Sequence, residues 1–164
     1  MAGRCNGPSR GCTPEEARAG FPRGEWLRYG ELLRVVRAGA ELGVRKVRVT
    51  GGEPLTRPGV AGFCRQIAAI PGIEDVGIST NGTLLAKQEN GQALAQALVG
   101  AGVRSANISL DSLDRETYRR STGRDLLPRV LEGIEAARSA GFESIKLNCV
   151  LMKGQSEREL AALT

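Results

Sequence analysis

Four glycines, Gly43, Gly72, Gly102 and Gly141, punctuate this 164-residue chain, each standing shortly after an amphipathic segment of helical length. Glycine there supplies the left-handed conformation that ends a helix. Each is followed by a short run suited to a strand. Helices are expected near 29–42, 58–70, 91–101 and 127–140, alternating with strands near 46–50, 75–79, 105–110 and 144–150. Strict alternation argues for parallel pairing through right-handed crossovers, hence an α/β fold of about four parallel βα units. The regularity is the spacing of those units and not a sequence repeat. A complete eight-stranded α/β barrel needs considerably more chain, so the expectation is one domain or part of one. Residues 1–28, rich in Gly, Pro and Arg, read as a cysteine-bearing loop, and residues 29–164 as the run of βα units. A short helix near 114–120 precedes Thr122-Gly123-Arg124, and a last helix is expected to begin at Ser156, with Glu159 in capping-box spacing.

Histidine is absent. That removes Ser-His-Asp and Cys-His nucleophilic catalysis and histidine-ligated zinc, leaving Cys, carboxylates, Lys or a cofactor to carry any chemistry. The net charge of +5 suits a polyanionic ligand such as a nucleoside triphosphate. Aromatic residues make up only 4%, with no basic stripe interleaved with stacking rings, so nucleic acid is not the expected partner. No apolar run approaches a bilayer-spanning length, and Met1-Ala2-Gly3-Arg4 lacks the apolar core of a signal peptide. No membrane partner and a cytoplasmic location are therefore expected. Of the four cysteines, Cys64 on a helix and Cys149 in the strand near 144–150 are expected to be small buried hydrophobes.

Four segments carry the candidate chemistry. Val47-Arg48-Val49-Thr50 ends in Gly51-Gly52-Glu53-Pro54, presenting open backbone and a carboxylate at a strand's C-terminal end, where parallel sheets bind ligands. Ser79-Thr80-Asn81-Gly82 also falls at a strand's end. Asn107-Ile108-Ser109-Leu110-Asp111-Ser112 alternates so that Asn107, Ser109 and Asp111 share one face. In isolation Gly-Gly-Glu-Pro is more often a plain turn after a strand, and the other two also read as a common turn pair and a common helix cap. In the fourth, Cys5 and Cys12 are spaced like the outer pair of a C-x3-C-x2-C motif, with Ser9 where the middle cysteine would stand.

Together these residues resemble the radical S-adenosylmethionine superfamily and, within it, the GTP 3′,8-cyclase family that opens molybdenum-cofactor biosynthesis. The resemblance runs from about Arg4 to about Glu159. It is most specific in Leu42 to Leu55, Thr80-Asn81-Gly82, Ser109-Leu110-Asp111-Ser112-Leu113, Thr122-Gly123-Arg124 and Lys146-Leu147-Asn148. It implies that residues 29–164 are a partial (β/α) barrel of the radical SAM type, incomplete at both ends, and it implies a [4Fe–4S] cluster, S-adenosylmethionine and an electron donor for the cluster. It implies Cys5 and Cys12 as cluster ligands, with Ser9 at the third ligand position. It assigns the ammonium group of S-adenosylmethionine to the backbone and carboxylate of Gly51, Gly52 and Glu53, and its carboxylate to Ser109. For GTP it implies Arg48, Thr80 and Lys146, with Lys46 a lesser candidate. Arg48 and Lys146 are expected on neighbouring runs of alternating strand residues, and cations pointing into a barrel interior are hard to explain as packing, although either could snorkel to the surface.

The sequence departs from the family pattern. At pH 7 a thiol of pKa ~8.5 costs about 2 kcal/mol to ionise, whereas an alcohol near ~15.7 costs about 12 kcal/mol before a metal helps, so Ser9 is a much poorer ligand. Gly11 replaces the tyrosine expected just before the last cysteine. The family's preceding strand and its later strands, with a second cysteine triplet, have no counterpart here. The expected function is thus that of a truncated GTP 3′,8-cyclase-like protein, the activity of this chain left open. The alternatives are another radical SAM enzyme, such as a peptide-modifying one, or a non-catalytic truncated α/β domain. Self-association through open sheet edges is also expected.

Overall fold

The structure is a computed structural model that describes residues 26–150. Cys5, Ser9 and Cys12, and the helix expected from Ser156, lie outside the described residues. In chain order the elements are α1 (Tyr29–Glu41), β1 (Lys46–Val49), a 3-10 turn (Pro54–Thr56), α2 (Val60–Ala68) and β2 (Asp75–Thr80). A small hairpin of β3 (Gln88–Glu89) and β4 (Gln92–Ala93) leads into α3 (Leu94–Val99) and β5 (Ser105–Ser109). Then come α4 (Arg115–Thr122), α5 (Leu127–Ala140) and β6 (Ser144–Asn148).

Strands β1, β2, β5 and β6 form one parallel sheet in that order. When spatial order follows chain order and crossovers keep one hand, every connecting helix falls on the same face. The burial pattern agrees. Val49, Val76, Ile78, Ala106 and Ile108 are buried in one cluster with Leu33, Phe63, Ile67, Leu98, Val130 and Ala137 from the helices. Each such aliphatic side chain contributes about 1.5–3 kcal/mol by leaving water, so this face holds the fold together.

Local chemistry sets the boundaries. The Asp114 carboxylate accepts from the Thr117 N–H at 2.8 Å and caps α4, while Pro128 stands in the first turn of α5. Gly43, Gly72, Gly102 and Gly141 all have φ between 85° and 95°, as helix-ending glycines should.

Three expectations are corrected. The helix expected from about 91 begins at Leu94, because Asn90 (φ 52°) and Gly91 (φ 81°) form the tight turn of the β3–β4 hairpin. Strand β6 stops at Asn148, so Cys149 lies just past it and is only half-buried, its thiol donating to the Asp111 carbonyl at 3.5 Å. Cys64 is fully buried, as expected. Finally, β1 and β6 are not neighbours but the two outer strands of the sheet, which places Arg48 and Lys146 at opposite sides.

Candidate functional site

Pairing register and strand alternation together define the face turned away from the helices. It carries Lys46 and Arg48 from β1, Asp75, Gly77 and Ser79 from β2, Ser105, Asn107 and Ser109 from β5, and Ser144, Lys146 and Asn148 from β6. None of these is apolar beyond a glycine. Parallel sheets ordinarily carry apolar residues on both faces. A parallel sheet with an apolar face and a fully polar one is built to meet water or a polar ligand on the second.

Arg48 starts on one edge of the sheet but reaches across β2 toward β5. Arg48 pairs in register with Gly77, and Gly77 with Ser105. The guanidinium crosses over Gly77, donating to the Ile78 carbonyl at 3.5 Å and to the Ser105 hydroxyl at 3.4 Å. A Cβ on Gly77 would stand 2.6 Å from Ser105 Oγ and 3.0 Å from Arg48 Cζ, so the absent side chain is what opens this path. The guanidinium therefore ends beside β5, while Lys146, exposed on the same face, stands on β6 at the other side of β5, in register with Asn107. Both hydrogen bonds of Arg48 are long, leaving its charge available to a better acceptor. Lys46, two residues before Arg48, lies on the same face nearer the N-terminal ends of the strands.

At the C-terminal ends the arrangement is different. Gly51 is exposed, but Glu53 is only 1% exposed and turns its carboxylate into the protein. Glu53 Oε1 accepts from Leu55 N–H at 3.0 Å and from the Thr80 hydroxyl at 2.7 Å, and Oε2 accepts from Asn81 N–H at 2.8 Å. Burial raises the Glu53 pKa above the ordinary carboxylate value, with the donors from Asn81, Thr80 and Leu55 opposing it. Thr80, 4% exposed, also accepts from Gly82 N–H at 3.1 Å, so its hydroxyl is engaged on both counts. Glu53 is the post that joins the loop after β1 to the end of β2. Ser109, the last residue of β5, is exposed and its hydroxyl makes no hydrogen bond among the described residues.

The segment entering α1 is fastened to the same loop. Tyr29 stacks on Phe63 with ring centroids 4.4 Å apart, the Arg57 guanidinium lies 4.1 Å over the tyrosine ring, and Arg57 Nη2 donates to the Leu27 carbonyl at 2.7 Å. Tyr29 O–H donates to the Pro58 carbonyl at 3.1 Å, and burial pushes its pKa up to about 12.

Two contributors carry no site expectation from the sequence: Gly77 and Ser105. A glycine inside a strand signals a close approach, and Gly77 was the available clue. The Ser105 contact is tertiary and has no local signature.

An all-parallel α/β sheet with helices on one face and a donor-rich opposite face carrying Lys46, Arg48 and Lys146 is the architecture of a barrel-type α/β domain, and that face suits a small anionic ligand. The chain belongs to the radical SAM superfamily, whose model matches residues 1–164. Among curated proteins it is 44% identical over 157 residues to "GTP 3',8-cyclase" of Pseudomonas fluorescens (strain Pf0-1), an alignment covering 96% of this chain and 45% of that protein. It is 43% identical over 158 residues to "GTP 3',8-cyclase" of Thermodesulfovibrio yellowstonii, covering 96% and 47%. The chain thus spans about half the length of the curated relatives it matches. Among solved structures it resembles HydG, a maturase of the FeFe-hydrogenase, with a TM-score of 0.71 at 18% identity over 90% of this chain and 33% of that one. It also resembles TYW1 with a lysine-pyruvate adduct bound, at a TM-score of 0.60 and 17% identity over 93% and 53%. At such identities these two speak for the fold alone.

The superfamily works with a [4Fe–4S] cluster and S-adenosylmethionine. The described residues fit the second of these: open main chain at Gly51 and Gly52 suits an ammonium group, and the unengaged Ser109 hydroxyl suits a carboxylate. For the cluster, no group of three His, Cys, Asp or Glu among the described residues could hold a metal. Cys64 is sealed in the core, where burial pushes its thiol up to about 12. No helix among the described residues is long and apolar enough to cross a membrane.

Proposed function

We propose that this chain is the cofactor- and substrate-binding portion of a GTP 3′,8-cyclase. That enzyme makes the cyclic dehydro-GTP precursor of cyclic pyranopterin monophosphate in the first step of molybdenum-cofactor biosynthesis. The observation that carries the reading is the Arg48 guanidinium laid over Gly77 to Ser105 on β5, with Lys146 on the strand at the other side of β5, on a face with no apolar side chain. Relatives of that name over nearly the whole of this chain support it.

In this reading Arg48 and Lys146 hold the polyphosphate, and Lys46 adds a weaker attraction from further down the same face. The backbone of Gly51 and Gly52 takes the ammonium group of S-adenosylmethionine and Ser109 takes its carboxylate, nearer the strand ends. Glu53 and Thr80 act as positioning residues, since their polar atoms are already joined to each other and to the backbone. When bound, the cluster and S-adenosylmethionine supply a carbon-centred radical able to take a hydrogen atom from the substrate. Cys5 and Cys12 would hold the cluster, with Ser9 a weaker third donor.

The test is calorimetry with GTP on the parent chain and on Arg48→Ala, Lys146→Ala and Lys87→Ala. Charge-assisted contacts are worth about 1.5–3 kcal/mol, so each of the first two substitutions weakens binding by roughly ten- to a hundredfold. Lys87, paired at 2.8 Å with Glu89 away from this face, is the neutral control. Affinity falls as salt rises. Equal affinities across the three variants would remove the phosphate role, and binding of S-adenosylmethionine without GTP would point to another radical enzyme class.

A further inference from the structure

Asn107 Oδ1 is buried and has no hydrogen-bond partner, the one such side-chain atom among the described residues. Its position makes this informative. Asn107 stands in the middle of the polar face, in register with Ser79 on β2 and Lys146 on β6, one row above Ser105 and its Arg48 partner and one row below Ser109. Ser79 and Lys146 both carry donors, yet neither gives one to this oxygen. A buried acceptor left unmet is costly, and native proteins tolerate it chiefly where a ligand or water completes it.

We infer that Asn107 determines specificity for a nucleotide over a bare polyphosphate, its Oδ1 accepting a hydrogen bond from an N–H or O–H of the nucleoside part. This rests on the substrate reading above and deepens it. Arg48 and Lys146 offer only donors, and phosphate oxygens offer only acceptors, so the two cations bind any polyphosphate alike. Phosphate oxygens cannot satisfy the Asn107 carbonyl. Ribose hydroxyls and the amino and imino groups of a base can. A site with a buried polar group rejects ligands that leave it unpaired far more strongly than it rejects changes in apolar bulk.

The test titrates GTP, inorganic tripolyphosphate and S-adenosylmethionine into the 164-residue chain and into Asn107→Leu and Asn107→Asp. Leucine removes the acceptor at similar volume, so GTP affinity falls about tenfold while tripolyphosphate affinity is unchanged. Aspartate keeps an acceptor but adds a like charge, so both phosphate ligands weaken while the preference for GTP is retained; this variant decides the matter where leucine impairs folding. Parallel loss of GTP and tripolyphosphate in Asn107→Leu, no loss of either, or a loss confined to S-adenosylmethionine overturns the inference while leaving the substrate reading intact. A parent chain that binds S-adenosylmethionine but not GTP overturns the substrate reading, and the inference with it.

Discussion

Glu53 shows how one residue can serve a site without facing it. Its carboxylate is enclosed and meets three donors, from Leu55, Thr80 and Asn81, so it fixes the ends of β1 and β2 relative to each other. Burial raises its pKa in the folded chain, which means the fold prefers the protonated form. Its contribution to stability is then full below the unfolded carboxylate pKa and is lost as pH rises through the folded value. Glutamine is neutral at every pH but offers one acceptor oxygen and turns an NH2 toward one of the three donors. Glu53→Gln should cost about 1–3 kcal/mol in acid, and the gap to the parent should narrow as pH rises above the ordinary carboxylate range. Urea unfolding of both proteins between pH 4 and 8 measures this. A gap that widens with pH would mean the hydrogen bonds outweigh burial. The sequence displayed Glu53 as a ligand candidate because its neighbours read Gly-Gly-Glu-Pro; which way the carboxylate turns is a tertiary matter that no local pattern encodes.

Between elements, α5 passes close against the loop after β2. A Cβ on Gly133 would overlap the Gly82 carbonyl, and Gly82 itself has φ 79°, with Ile108 Cγ2 only 2.8 Å from where its own Cβ would be. Alanine gains roughly 1 kcal/mol of helix propensity over glycine, but overpacking a close backbone contact costs about 1–3 kcal/mol. Gly133→Ala should therefore lower stability, whereas Gly62→Ala in α2, with nothing within 4 Å of its Cβ, should raise it by about 0.5–1 kcal/mol. Thermal unfolding separates the two, and equal shifts would contradict the packing argument. At this scale the sequence was readable where signals are local. The helix-ending glycines, the four strands and the alternation of Asn107 and Ser109 all follow from spacing. The β3–β4 hairpin was announced by Asn90-Gly91, a strong turn signal absorbed into an expected helix. Arg48 meeting Ser105 across β2 depends on the sheet already being assembled, as does the placing of β1 and β6 at its edges.

At the scale of the whole molecule, β1 pairs only with β2 and β6 only with β5 among the described residues, so the sheet has two outer strands running in the same direction. Beside β6, Leu147 is 42% exposed, Leu131 on α5 is 43% exposed and Val150 is 66% exposed, a patch of the kind a neighbouring βα unit covers. A β1 edge from one copy can pair in parallel with the β6 edge of another. Such a head-to-tail contact closes if the rotation suits and otherwise propagates. The isolated 164-residue chain should accordingly exceed its 17.4 kDa monomer mass in a concentration-dependent way, as read by size-exclusion chromatography with light scattering. Leu147→Lys places a charge on the helix-side face of the outer strand, where another copy would have to bury it, and should shift the population toward monomer without altering GTP affinity, since that face is opposite Lys146. A parent chain that stays monomeric at every concentration would show that the edges are covered. A Leu147→Lys variant that associates like the parent would move the contact away from β6.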